Sequence, residues 1–112
     1  MAKDKFEVIK KDNGVYYFKN NKLHREDGPA IDSFNGDSEW YIDGVIHRIG
    51  GPAYSSLDER YHEWYENGDL HRLDGPAVTF ADDSGEWWHR GKQIDCTSQQ
   101  EFEKILKLKA FM

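Results

Sequence analysis

Apolar positions follow two different periods along this chain. Through most of its length they come in short runs that alternate with polar residues, the period of two expected of a strand with one covered face. Tyr61, Glu63 and Tyr65 alternate in this way with His62, Trp64 and Glu66. Short glycine turns follow at Asp43-Gly44, Asn67-Gly68 and Arg90-Gly91. Asp-Gly and Asn-Gly favour the positive backbone angles of tight hairpin turns. Returning strands are expected at Val45-Ile46-His47, Leu70-His71 and Gln93-Ile94. Gly-Pro-Ala corners lead into second short strands beginning at Ala30, Ala53 and Ala77. Proline lacks the N–H that a central ladder needs, so it starts a strand or marks a corner. The chain opens with a strand over Lys5–Lys10, a turn at Asp12-Asn13-Gly14, and a strand over Val15–Phe18. Near the C-terminus the period changes to 3.6. Ser98 and Glu101 form a capping box, and Phe102, Ile105 and Leu106 share one face. A helix is predicted over 99–111, with Lys104, Lys107 and Lys109 toward its C-terminal end, where the dipole favours them.

The strand region repeats. His24-Arg25-Glu26-Asp27-Gly28-Pro29-Ala30 returns as His47-Arg48-Ile49-Gly50-Gly51-Pro52-Ala53 and as His71-Arg72-Leu73-Asp74-Gly75-Pro76-Ala77, at intervals of 23 and 24 residues. Trp40-Tyr41, Trp64-Tyr65 and Trp87-Trp88 precede the turns at the same period, with Tyr17-Phe18 as a weaker copy. All three prolines occupy one repeat position. A fixed period of this length marks a repeat architecture, because one hairpin cannot bury its own apolar face and needs its neighbours.

The expected fold is mainly β: stacked antiparallel hairpin repeats in one elongated twisted sheet, closed by a C-terminal capping helix. One domain holds a cap strand and turn (1–16), the repeats (17–94) and the helix (98–111). Tyr17, Trp40, Trp64 and Trp87, with Leu23, Ile46 and Leu70 beside them, are expected to share one interior, with Ala30, Ala53 and Ala77 allowing close approach. The helix either covers the open end of the core or leaves its Leu108 and Phe111 side free to dock a partner.

Charge narrows the function. The chain of 112 residues has 15 basic and 21 acidic residues, a net charge of −6. The ends are basic (+2 over 1–11 and +1 over 99–112), so the body between carries −9. An acidic body disfavours a direct grip on a nucleic-acid backbone or an anionic membrane and suits a basic protein partner. Cys96 is the one cysteine, which rules out an internal disulfide or multi-cysteine zinc site and fits a reducing cytosol. It stands just before the helix and reads as an inert thiol.

Three groups of side chains are candidates for chemistry. The first is the column His24, Arg25, His47, Arg48, His71 and Arg72. Its structural use would have arginine bridging the acidic turns and histidine donating to carbonyls at the Gly-Pro corners. Its functional use would be to bind a phosphate or nucleotide. The second is the five histidines, which lack the tight local spacing of a zinc motif, so no metal and no cofactor is expected. The third is the second aromatic of each pair. Tyr41, Tyr65 and Trp88 point opposite to the first, and an exposed stripe of this kind suits an interface. With the acids Glu39, Asp43, Glu63, Glu66 and Asp69 they form the candidate partner-binding surface. Phosphate-cradling, serine-elbow and His-Glu-x-x-His motifs are all missing, so no catalytic residue is expected.

The phrases His-Arg-x-x-Gly-Pro-Ala and Trp-Tyr-x-x-Gly, at this period over residues 17–94, resemble repeats in small proteins of tailed bacteriophages and giant viruses. They are distantly similar to MORN-type hairpin repeats. The resemblance implies a phage accessory protein, made in the host bacterial cytoplasm, that works by binding. The expected function is therefore non-catalytic: to inhibit or modulate a host protein with a basic surface, such as a defence factor. The alternatives are a binder that sequesters a nucleotide signal through the His/Arg column, and a structural protein that assembles through its sheet edges into homo-oligomers.

Overall fold

A computed structural model describes residues 3–58 and 60–110. It is mainly β, with fourteen strands and one helix. The strands are β1 (Phe6–Lys11), β2 (Gly14–Lys19), β3 (Lys22–Leu23), β4 (Ile31–Ser33), β5 (Ser38–Glu39), β6 (Tyr41–Ile42), β7 (Val45–Ile46) and β8 (Tyr54–Ser55). They continue with β9 (His62–Glu63), β10 (Tyr65–Glu66), β11 (Asp69–Leu70), β12 (Val78–Thr79), β13 (Gly85–His89) and β14 (Lys92–Ile94), before α1 (Gln99–Lys109).

The main sheet runs β1-β2-β4-β5-β8-β9-β12-β13-β14, antiparallel throughout, with β3 paired to β2. Alongside it stand the small hairpins β6–β7 and β10–β11. Each repeat contributes one longer stretch, such as 38–42 or 62–66. Its first half joins the main sheet and its second half turns back as the hairpin. The turns have the backbone that their residues predict: φ is +48° at Asp43 and +82° at Gly44, +51° at Asn67 and +85° at Gly68. Arg90 takes the same conformation, with φ of +49°.

Equivalent bonds join consecutive units. The N–H groups of Gly44, Gly68 and Gly91 donate to the carbonyls of Leu23, Ile46 and Leu70 in the preceding unit, at 2.7, 2.9 and 2.9 Å. Tyr17, Trp40 and Trp64 donate their N–H groups to the carbonyls of Ala30, Ala53 and Ala77. These three alanines are fully buried, as the repeat alignment anticipates.

The large rings do not share an interior. Tyr17, Trp40, Trp64 and Trp87 are all half-buried, as are Leu23, Ile46 and Leu70. The molecule is flat, measuring 46 × 39 × 17 Å. Apart from the alanines, the buried apolar residues are Val78, Ile94 and Phe102. The rings still have equivalent settings, because each of the first three is covered by an arginine of its own repeat.

The array ends where its pattern changes. By alignment of the turns, Ile94 and Asp95 stand where a fourth copy would carry His and Arg after Gly91. Helix α1 follows at once. Ser98 caps it by accepting the Glu101 N–H (3.1 Å), while Glu101 Oε1 accepts the Thr97 N–H (2.9 Å). Phe102 is its buried anchor, Ile105 and Leu106 are half-buried, and Leu108 is exposed. Phe111, on the face considered for docking, lies outside the described residues. Gln99 ties the helix to the sheet, accepting from Trp87 Nε1 and donating to the Leu73 carbonyl, both at 2.8 Å.

Candidate functional site

The His/Arg column is woven into the repeat. The guanidinium carbons of Arg25, Arg48 and Arg72 lie 4.0, 3.9 and 3.8 Å from the ring centroids of Tyr17, Trp40 and Trp64, in cation–π contact. On the other side of each guanidinium lies a glycine. A Cβ added at Gly28, Gly51 or Gly75 would come within 2.6–2.7 Å of the guanidinium carbon, so the arginine would have to leave its place over the ring. Nη1 of each arginine donates to the carbonyl of Pro29, Pro52 or Pro76 at 3.1–3.2 Å. Nε of Arg25 and Arg72 also donates to Asp27 and Asp74. This contact holds the Asp74 carboxyl below the usual carboxylate range. The second copy has Gly50 in place of that aspartate.

The histidines do the opposite of what the corner geometry predicts. They accept rather than donate, and from the next turn rather than from the Gly-Pro corner. Nδ1 of His24, His47 and His71 accepts the backbone N–H of Asp43, Asn67 and Arg90, each at 2.9 Å. A ring nitrogen that accepts carries no proton, so these rings hold the Nε2–H tautomer. His24 and His71 are buried and His47 is half-buried. The column thus explains the recurring phrase: histidine docks the next turn, arginine covers the ring, glycine makes room, and the proline carbonyl accepts.

The partner-binding candidates divide into two groups. Strand pairing sets one row of residues on a single face of the sheet, in the order Tyr16, Ile31, Glu39, Tyr54, Glu63, Val78 and Glu86. Hydroxyls and an indole from the second aromatic row, joined by the hydroxyl of Tyr61, bind its carboxylates. Tyr41 donates to Glu39 (2.9 Å), Tyr65 and Tyr61 to Glu63 (3.0 and 2.5 Å), and Trp88 Nε1 to Glu86 (3.1 Å). Burial and the adjacent carboxylates push the phenols of Tyr41 and Tyr65 up to about 12, and Tyr61 is raised for the same reasons. All three glutamates are half-buried, and among the described residues none has a cation at salt-bridge distance.

Asp43, Glu66 and Asp69 lie elsewhere, on the row of hairpins. Asp43 is 3.3 Å from His24 Nδ1, Glu66 is 3.9 Å from His71 Nε2, and Asp69 abuts the turn at Gly91. Glu86 is absent from the sequence-derived set. Its signal is the Glu-Trp dipeptide, which recurs at 39–40, 63–64 and 86–87.

Ser55 Oγ lies 2.9 Å from His62 Nδ1 on the opposite face, beside an open concavity of Arg60, Thr79, Phe80 and Asp83. No carboxylate is hydrogen-bonded to that histidine among the described residues, as a nucleophile–base pair with an orienting acid would require. Burial and Glu101 push the Cys96 thiol up, away from a reactive thiolate. No cluster of three or more metal-ligating side chains occurs among the described residues, and no helix is long and apolar enough to cross a membrane. Comparison with family models, curated proteins and solved structures finds no match.

Proposed function

We propose that the protein acts by binding rather than by catalysis, with the face bearing Glu39, Glu63 and Glu86 docking on the basic surface of a protein partner. One observation carries this reading. The three carboxylates are half-buried among aromatic rings, held in place by phenol and indole donors, and paired with no cation among the described residues. A partly desolvated carboxylate without a counter-charge is costly. A lysine or arginine from a partner would offset that cost at sites already oriented to receive it. Successive glutamates are two strands apart, about 10 Å at ordinary strand spacing. The cationic residues they meet would share that separation. The −9 body adds long-range attraction that speeds encounter. The likeness of the repeats to those of small viral proteins supports a host factor as the partner, and inhibition or modulation of it as the outcome. The His/Arg column supports a nucleotide reading less well, because the aromatic ring beneath each guanidinium, its Nη1 bond and, in Arg25 and Arg72, its Nε bond already engage it within the fold.

The test is affinity capture from a bacterial host lysate. Bait is the wild type or the triple variant Glu39→Gln, Glu63→Gln and Glu86→Gln, which removes the charge while leaving each side chain its shape and one acceptor oxygen. The wild type should retain basic proteins that are lost with the triple variant and with added salt. Equal retention by both baits, or none by either at low salt, overturns the proposal.

A further inference from the structure

The N-terminal edge of the sheet is open. Strand β1 pairs with β2 on one side, and among the described residues nothing pairs on the other. Asn20 donates its N–H to the Lys5 carbonyl just before β1, while Tyr17 donates away from β1 to Ala30. Hydrogen-bonding direction alternates along an antiparallel strand. Glu7, Ile9 and Lys11 therefore turn their backbone groups to β2, and Phe6, Val8 and Lys10 turn theirs outward. The edge is six residues long, and its Phe6 and Val8 are 68% and 63% exposed. A free edge of this length with apolar side chains is a template for another strand.

The charges select which strand. When two copies of β1 pair antiparallel about a two-fold axis, facing residues lie on the same face, so their numbers share parity. An axis at Ile9 sets Glu7 of each copy opposite Lys11 of the other, with Ile9 meeting Ile9 between the two ion pairs. Val8 and Lys10, the outward-turned residues, then exchange N–H···O=C bonds with Lys10 and Val8 of the second copy. An axis at Val8 would instead set Lys5 against Lys11, a like-charge pair. Opposed charges across strands stabilise and like charges destabilise. The Ile9 register also extends the row of Tyr16, Ile31 and Glu39, because Ile9 is the strand partner of Tyr16.

We propose that the chain forms a two-fold homodimer through β1, in the register centred on Ile9, joining the two main sheets into one continuous sheet. Sedimentation equilibrium tests it. The wild type should pass from 13.1 kDa to twice that mass as concentration rises. Glu7→Lys and Lys11→Glu, at a half-buried and an exposed position of the edge strand, should each remain monomeric with unchanged circular dichroism. Mixed in equal amounts they should regain the doubled mass, since every cross-strand pair is then of opposite charge. A wild type that stays at the monomer mass up to millimolar concentration overturns the proposal. So do single variants that dimerise as the wild type does, or a mixture that fails to. Amide exchange gives a check without substitution: protection of the Val8 and Lys10 N–H groups should rise with protein concentration, and protection that does not change overturns the proposal.

Discussion

An arginine lying flat between an aromatic ring and a glycine is the recurring residue-scale device of this protein. The glycine is needed for space rather than for backbone freedom. Gly28, Gly51 and Gly75 do not have positive φ, yet an added Cβ at each would overlap the guanidinium. Gly75→Ala should therefore destabilise by about 1–3 kcal/mol, the usual cost of overpacking. Arg72→Ala should cost a comparable amount, because it removes a cation–π contact over Trp64 worth about 0.5–2 kcal/mol together with bonds to Pro76 and Asp74. In the Arg72→Ala background, Gly75→Ala should lose most of its penalty, since the group it strikes is gone. Denaturant midpoints of the four proteins form a double-mutant cycle. Strict additivity would mean that the arginine does not set the requirement for glycine.

At the scale of the elements, the joints between hairpins tie consecutive units together, and the last of them should respond to pH. Hairpin β10–β11 meets β13–β14 where His71 accepts the Arg90 N–H and its ring lies 5.2 Å from that of His89. Burial first, then the neighbouring His71, Arg90 and Lys109, lowers the pKa of His89 below its ordinary 6.5. The unfolded chain thus binds this proton at a higher pH than the folded one. The contribution of His89 to stability is fully present above pH 6.5 and is lost as pH falls below that value through the lowered pKa. Chemical denaturation at pH 7.5 and 5.5 should show wild type losing more stability on acidification than His89→Asn does; equal losses would contradict it. The hairpins and their turns were legible in the sequence because both signals are local: period-two alternation, and Asp-Gly or Asn-Gly at the turn. The burial of Trp40 and Trp64 was not, because it depends on how many layers cover the sheet, which no local pattern records. Histidine was assigned to the wrong partner for a related reason, whereas Asp27 and Asp74 were among the partners expected of arginine. The proline carbonyl lies only four residues from its arginine, but the turn that histidine docks is 19 or 20 residues away. The carboxylate row was half legible: Glu39 and Glu63 were in the sequence-derived set, whereas Asp43, Glu66 and Asp69 were grouped with them by charge alone.

For the whole molecule, the equivalent joints make the repeat region a one-dimensional array in which each unit leans on its neighbours. The stability of such an array is close to a sum of unit and interface contributions, so its length should be adjustable by whole periods and not by fractions. Deleting residues 47–70 joins Ile46 to His71, which stands where His47 stood. The turn at Arg90 then presents its N–H to the same histidine as before, and the Gly91 N–H finds the Ile46 carbonyl in place of that of Leu70. Every remaining hairpin keeps an equivalent joint, and both ends keep their caps, β1 with its turn and helix α1 with Ile94. This shortened chain should fold with a cooperative thermal transition at a lower Tm. Deleting residues 54–65, half a period, joins Ala53 to Glu66 and removes β8, β9 and Trp64, leaving Arg48 and Ala53 without their next neighbours. That chain should show no cooperative transition. Circular dichroism melting of the two deletions separates the cases, because an ordinary globular core would be broken by either one, and only an array distinguishes a loss in phase from a loss out of phase.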